Sequence, residues 1–297
     1  CTPAFPHDQV SKCVQSIARR EGDPEAIVEP PLDIAEVIDR TMKLIEHPPM
    51  ASKTSLPALD EILAGGFQAG ELIYLGSRPS IGKTALALQI ARSVAATGKK
   101  VLFITREMGP PALGRRLLAQ ESLVRLRNLK TGQLRPEEQS LLADGAKRLQ
   151  QLPVKITAKA VSIAQIEQTV SDVSPLGLVV IDYLQLVRAP LEIRDRRAAI
   201  EYVSLELKGI AIKYEVPVLC LSQLTRPPRD AGKNWRPMLS DLRESGSLEA
   251  DADTVLLLHW DRESLTRELA VGKQRDGELG IITLTFAGDY QLFKEVA

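Results

Sequence analysis

The chain has 297 residues, 38 of them basic and 38 acidic, with a formal net charge of zero and 44% hydrophobic residues. That apolar content without net charge excludes a globally disordered chain, and neutrality means that any grip on a polyanion comes from a local patch. No apolar run approaches the roughly 20 residues that span a bilayer, and the start CTPAFPHDQV has no basic stretch followed by an apolar one, so neither a membrane span nor a signal peptide is expected.

Cys1, Cys13 and Cys220 are too few and too scattered for a disulfide framework, which points to a reducing, cytoplasmic setting. Cys1, His7 and Cys13 lack the CxxC spacing of a structural metal site. The chain does not start with Met, and a processed or truncated product is the expectation.

Residues 1–32 are rich in Pro, Gly and charge and read as a flexible terminal segment or linker remnant. In 33–46, Ile34, Val37, Ile38, Met42 and Ile45 recur at helical spacing. An amphipathic helix is expected there, inside a linker 33–50 that closes on His47-Pro48-Pro49. Its apolar stripe has two equal readings: packing on its own domain, or on a neighbouring subunit.

From 51 to 297 the pattern is one domain of alternating strands and helices. Strands are predicted at 71–76, 99–105, 154–158, 176–182 and 216–223, and helices at 84–97, 111–127, 136–150, 162–173 and 196–214. Gly98 suits the position just past a helix end. LGLVVID, 176–182, is a near-continuous apolar run, as strands buried on both faces are. Late strands follow at 254–260, 268–273, 280–286 and 290–296, the last ones antiparallel. Repeated strand–helix units predict an α/β fold, a mainly parallel twisted sheet with helices on both faces.

Gly76-Ser77-Arg78-Pro79-Ser80-Ile81-Gly82-Lys83-Thr84 follows a predicted strand and opens a predicted helix. That is the setting of a P-loop, where backbone N–H groups and a helix N-terminus hold phosphate oxygens. Ser80, Gly82, Lys83, Thr84 and Ala85 are the candidate nucleotide contacts. Lys83 reaches the β/γ-phosphates and Thr84 ligates Mg²⁺. The strict pattern GxxxxGK[ST] has Gly where this chain has Ser77.

Three more strand tips carry chemistry. Asp182 ends strand 176–182, where α/β sheets bind ligands, and is the candidate acid that holds Mg²⁺ through water. Glu107 follows strand 99–105 and has the carboxylate to deprotonate an attacking water. Gln223 ends strand 216–223, with an amide able to sense a γ-phosphate and pull on the next loop. Each has a plain reading too: a cap, a surface carboxylate, a loop-start amide. Four tips on one sheet edge raise all of them together.

RPSIGKT, FITREM, VVIDYLQL, LSQL, SDLRESGSLEADAD and GKQRDG occur in that order. Over about residues 33–297 the chain resembles the motor domain of DnaB-type replicative helicases, RecA-like hexameric ATPases; SDLRESGSLEADAD and GKQRDG are the specific segments. The resemblance implies a RecA-like P-loop fold and ATP with Mg²⁺ as cofactors. It implies a homo-oligomer, a hexamer, with ATP at subunit interfaces, and single-stranded DNA as the track. Primase and a helicase loader are further partners it implies. It places an arginine finger at Arg275, inserted into the neighbour's ATP site with Lys273 beside it. It puts Arg243, Glu244 and Gly246 on DNA phosphates, and Arg116 in support of Glu107 and the phosphate. Two departures stand out. Arg106 replaces a common Leu before Glu107, and only about 50 residues precede the motor core, where full-length members carry a helical amino-terminal domain. A motor fragment, or a naturally short version of phage or plasmid type, is therefore expected.

Between 226 and 244, five cations (Arg226, Arg229, Lys233, Arg236, Arg243) meet three anions (Asp230, Asp241, Glu244), a local +2 in a neutral chain. Pro227, Pro228, Gly232 and Pro237 make the stretch a loop. Repeated around a ring, such loops form an electrostatic funnel for phosphates; by composition alone, a solvated mixed-charge loop is the plainer reading. Trp235 has the ring to stack a base, or packs its own loop. The function expected is an ATP-dependent DNA helicase. The alternatives are a RecA-like recombinase or related DNA-dependent ATPase, and a non-catalytic ring-forming DNA-binding module.

Overall fold

The computed structural model describes residues 31–225, 235–242, 246–261 and 263–296. The chain divides into two units, Cys1–Pro49 and Met50–Ala297. In the first, helix α1 (Ile34–Glu46) starts on Asp33, whose Oδ1 accepts the Glu36 N–H at 2.9 Å. Within its own unit α1 buries none of its residues.

The second unit carries nine strands among the described residues: β1 (Leu72–Ser77), β2 (Val101–Thr105), β3 (Val154–Thr157), β4 (Leu178–Asp182), β5 (Val218–Gln223), β6 (Thr254–Trp260), β7 (Arg267–Gln274), β8 (Gly280–Ala287) and β9 (Leu292–Glu295). They form one sheet in the order β3-β2-β4-β5-β1-β6-β7-β8-β9. Pairing is parallel from β3 through β6 and antiparallel from β6 to β9. The helices are α2 (Pro57–Ile62), α3 (Lys83–Ala96), α4 (Pro110–Ser122), α5 (Leu126–Thr131), α6 (Pro136–Gln150), α7 (Ile163–Val173), α8 (Arg196–Lys213) and α9 (Gly246–Asp251). This is the predicted α/β architecture, with the predicted antiparallel end.

Alternation explains the continuous apolar runs. In β1, Ile73 and Leu75 join Phe103, Val180 and Leu219 in a core covered by α2, α3 and α4. Leu72 and Tyr74 join Leu102, Val179 and Val255 in a second core covered by α7, α8 and α9. Both faces are covered, so the central strands are apolar along their length and keep buried polar residues, Ser77, Thr105, Asp182, Ser222 and Thr254, to their ends. Each buried aliphatic or aromatic side chain contributes about 1.5–3 kcal/mol. Cys220 lies in the second core, where burial pushes its thiol pKa well up, so it packs rather than reacts.

Two local features depart from the sequence pattern. Residues 111–127 do not form one helix: Leu123 takes a left-handed conformation (φ 55°) and separates α4 from α5. The cause is tertiary. Gly145 of α6 lies so close to Ser122 that an added Cβ would sit 2.9 Å from its Cβ, and Val124 is buried just beyond. The short α2 has no periodicity to betray it; it begins with Pro at N1 and buries Leu59.

Candidate active site

Parallel pairing puts the C-terminal ends of β1, β2, β4 and β5 on one edge. The register aligns their last residues, Ser77 opposite Gln223 and Thr105 opposite Asp182. Between β1 and α3 the chain turns through two left-handed residues, Ser80 (φ 65°) and Gly82 (φ 118°). Ser77, where the strict pattern has Gly, is still paired in β1 and needs no left-handed freedom. A Cβ on Gly82 would stand 2.7 Å from Phe293 Cζ. Gly82→Ala therefore meets a clash as well as an unfavourable φ. It is expected to lower stability by about 1–3 kcal/mol, read as a lower midpoint in urea denaturation; an unshifted midpoint would refute this packing.

Helix α3 opens directly from the loop at Lys83. Its first turn carries no acidic side chain and Gly82 supplies no side-chain cap, which leaves the N-terminal N–H groups available to an anion. Thr84 Oγ1 donates to Asp182 Oδ2 at 2.9 Å. Asp182 is fully buried, and its Oδ1 has no hydrogen-bond partner among the described residues. Burial holds its carboxyl above the usual range; Lys83 and the Thr84 hydroxyl pull it back and Glu107 pushes it further up. Burial likewise pulls the Lys83 ammonium down, against the attraction of Asp182 and Glu107. Lys83 Nζ lies 5.0 Å from the centre of the Tyr183 ring. An orphaned, buried carboxylate oxygen beside a hydroxyl fits Mg²⁺, which takes few protein ligands and fills its octahedron with water and phosphate. Among the described residues, no group of three or more His, Cys, Asp or Glu gathers as an all-protein metal cage.

Glu107 is exposed on the bend after β2, within electrostatic reach of Lys83, Asp182 and Arg116. Arg116, on α4, donates to Gln291 Oε1, and burial lowers its pKa against Asp182 and Glu107. Arg106, the departure before Glu107, donates its N–H to the Asp182 carbonyl at 2.7 Å and Nη1 to the Ala158 carbonyl at 2.9 Å. It extends the β2–β4 pairing and steadies the turn after β3. Gln223, partly buried, donates its backbone N–H to Gln185 Oε1 at 3.5 Å. Ala85 is buried in the first turn of α3.

Sequence reasoning missed three neighbours. Tyr183 sits beside Lys83, and Gln291 holds Arg116 from the turn before β9. Arg78 donates from the phosphate loop to the carbonyls of Leu224 (3.4 Å) and Thr225 (3.2 Å). Thr225 in turn donates its N–H to the Asp241 carbonyl at 2.9 Å, so Arg78 touches the stem of the basic loop. Arg78 and Tyr183 lie inside quoted segments and Gln291 in none, but their contacts join distant parts of the chain and only the fold brings them in.

Lys273 and Arg275 lie at the opposite edge of the sheet. Gln274 pairs with Thr254, and Thr254 pairs with Ile73 near the start of β1. Lys273 Nζ donates to the carbonyls of Glu249, Ala250 (3.3 Å) and Ala252 (2.7 Å), and Arg275 Nη1 to Asp253 Oδ1 at 3.3 Å. One chain thus gathers Lys83, Thr84, Asp182, Glu107 and Arg116 but not Lys273 or Arg275. Arg243 and Glu244 lie outside the described residues, as do Arg226, Arg229, Lys233, Cys1, His7 and Cys13; Gly246 opens α9. Arg236 is paired with Glu268 at 2.6 Å, so one cation of the basic loop is neutralised within the chain. No helix among the described residues is long and apolar enough to cross a membrane.

The model of the family described as DnaB-like helicase C terminal domain matches residues 52–295. The replicative DNA helicase DnaC of Bacillus subtilis (strain 168) is 36% identical over 280 residues, which is 88% of this chain and 61% of that protein. A solved ATPase domain superposes with a TM-score of 0.81 at 29% identity, over 90% of this chain and the whole of that domain. The structure of a DnaB-like replicative helicase, studied with its primase interactions, gives a TM-score of 0.81 at 27% identity, over 97% of this chain and 71% of its own. The chain spans about three fifths of the length of the Bacillus relative.

Proposed function

Because the chain belongs to the family of DnaB-like helicase C terminal domains, we propose that it is the ATP-hydrolysing motor of a cytoplasmic DNA helicase that works as a ring of identical subunits on single-stranded DNA. Lys83 and the N–H groups around Ser80, Gly82 and Ala85 bind the triphosphate of ATP. Thr84 and Asp182 would hold Mg²⁺, which when bound neutralises charge on the β- and γ-phosphates. Glu107 takes a proton from the attacking water, and Arg116 steadies Glu107 and the phosphate. Arg275, with Lys273 beside it, serves the site of the adjacent copy. Gln223 senses the γ-phosphate and moves the loop that leads to Arg243, Glu244 and Gly246, which hold DNA phosphates. A hexamer closes the ring, α1 belongs to the linker ahead of the motor, and primase and a loader are its protein partners.

One observation carries this reading: the phosphate loop with Thr84 and Asp182 is on one edge of the sheet, and Arg275 is on the other. A site divided this way is completed by stacking one copy's start-of-β1 edge on the next copy's phosphate loop. The test is strand displacement on a forked duplex. ATP-dependent displacement, with ATP turnover raised by single-stranded DNA, is expected. Turnover without displacement, joined to strand exchange, would favour the recombinase; no turnover at all would favour the non-catalytic ring.

A further inference from the structure

Asp253 stands immediately before β6 and is almost fully buried. Its Oδ2 accepts the Leu72 N–H at 2.8 Å and Lys208 Nζ at 2.7 Å, while its Oδ1 accepts Arg275 Nη1 at 3.3 Å. The backbone repeats the link: the Asp253 carbonyl accepts the Arg275 N–H at 2.9 Å, and the Asp253 N–H donates to the Leu72 carbonyl at 3.0 Å. Asp253 thus ties Arg275 to Leu72, the first residue of β1, by side chain and by main chain. The Arg275 side chain stays 54% exposed. Among the described residues, one of its five N–H donors is engaged by a side chain, that of Asp253, so the fork is oriented without being used up. Lys208 shares the same carboxylate, and Glu71 lies within electrostatic reach of Asp253 and Lys208. Lys273 differs: its ammonium is committed to three carbonyls at the end of α9. Of the two cations, Arg275 is the one presented outward.

We propose that Asp253 is a positioning residue for Arg275: it presents the guanidinium to nucleotide held by a second copy of this chain. This rests on the reading that each nucleotide is completed by the adjacent copy. Loss of the carboxylate leaves Arg275 attached by its main chain alone, and a misplacement of about 1 Å at such a site costs on the order of 10²-fold in rate.

The experiment compares the wild-type chain with R275A, D253N and R275A/D253N for DNA-stimulated ATP turnover, resolving kcat from KM. It then mixes D253N with K83A, which lacks the phosphate lysine but keeps Arg275. D253N is expected to lose about 10²-fold in kcat with KM little changed, and to add nothing in the R275A background. Mixing is expected to restore turnover, because K83A subunits offer a correctly held Arg275 to intact phosphate loops of D253N subunits. A D253N protein with full kcat while R275A is inactive overturns the proposal and leaves the divided site standing. A D253N loss that mixing does not relieve is a structural defect and overturns it too. Full turnover by R275A instead removes the divided site itself. Should D253N melt below the assay temperature, D253E, whose extra methylene displaces the carboxylate, is judged by the same rules.

Discussion

Arg275→Ala is expected to lower DNA-stimulated ATP turnover by about 10³–10⁵-fold, with ATP binding by the isolated chain close to wild type. The two halves of that expectation come from the same geometry. Arg275 is at the β1-start edge, away from Lys83, Thr84 and Asp182, so it contributes nothing to binding within one copy. A guanidinium fork is suited to the spread negative charge of a transferring phosphoryl group, and it acts where that charge develops. Equilibrium binding of a fluorescent ATP analogue and steady-state phosphate release separate the two effects. A variant that binds and hydrolyses normally would show that the nucleotide is served wholly in cis.

Glu107→Gln comes next in size, with an expected fall of about 10²–10⁴-fold in kcat. Gln keeps the shape and loses the base. Glu107 is exposed at the tip of β2, where water reaches it, and it interacts electrostatically with Lys83, Asp182 and Arg116. Lys83 and the α3 N-terminus, proposed to bind the triphosphate, are untouched, so the variant is expected to hold ATP and single-stranded DNA together without turning over. Filter binding of labelled DNA in the presence of ATP, alongside a phosphate-release assay, checks this. Normal turnover in the variant would move the base to another group. The two variants are expected to differ on mixing with K83A: Arg275→Ala is rescued by a neighbour's arginine, whereas Glu107→Gln is not, because Glu107 and Lys83 serve the same copy's site.

Most of the fold was legible because each strand writes its own signature. β4 and β5 are buried on both faces, and that demands the apolar runs at 178–181 and 218–221. Gly98 marks the end of α3 by its left-handed φ of 85°. The strand–turn–helix at 72–96 was legible for the same local reason: its strand, left-handed turn and helix N-terminus are consecutive in the chain. Helix α2 was not legible, since six residues are too few to show a period. Neither was the break at Leu123, where a non-glycine residue adopts a left-handed turn because α6 closes on Ser122.

The amino-acid order by itself determined the alternation of strands and helices, the place of Lys83 and Thr84 at a helix start, and the carboxylates at strand tips. These are short-range matters of period, turn and cap. Only the tertiary structure decided which tips become neighbours, because strand order depends on how whole faces pack. It put Asp182 within hydrogen-bond reach of Thr84, 98 residues away in the chain. It brought Arg78 to the stem after β5, Gln291 to Arg116, and Asp253 to both Lys208 and Arg275. It also placed Arg275 on the edge away from the phosphate loop, since β7 runs antiparallel to β6 and delivers its end to the start of β1.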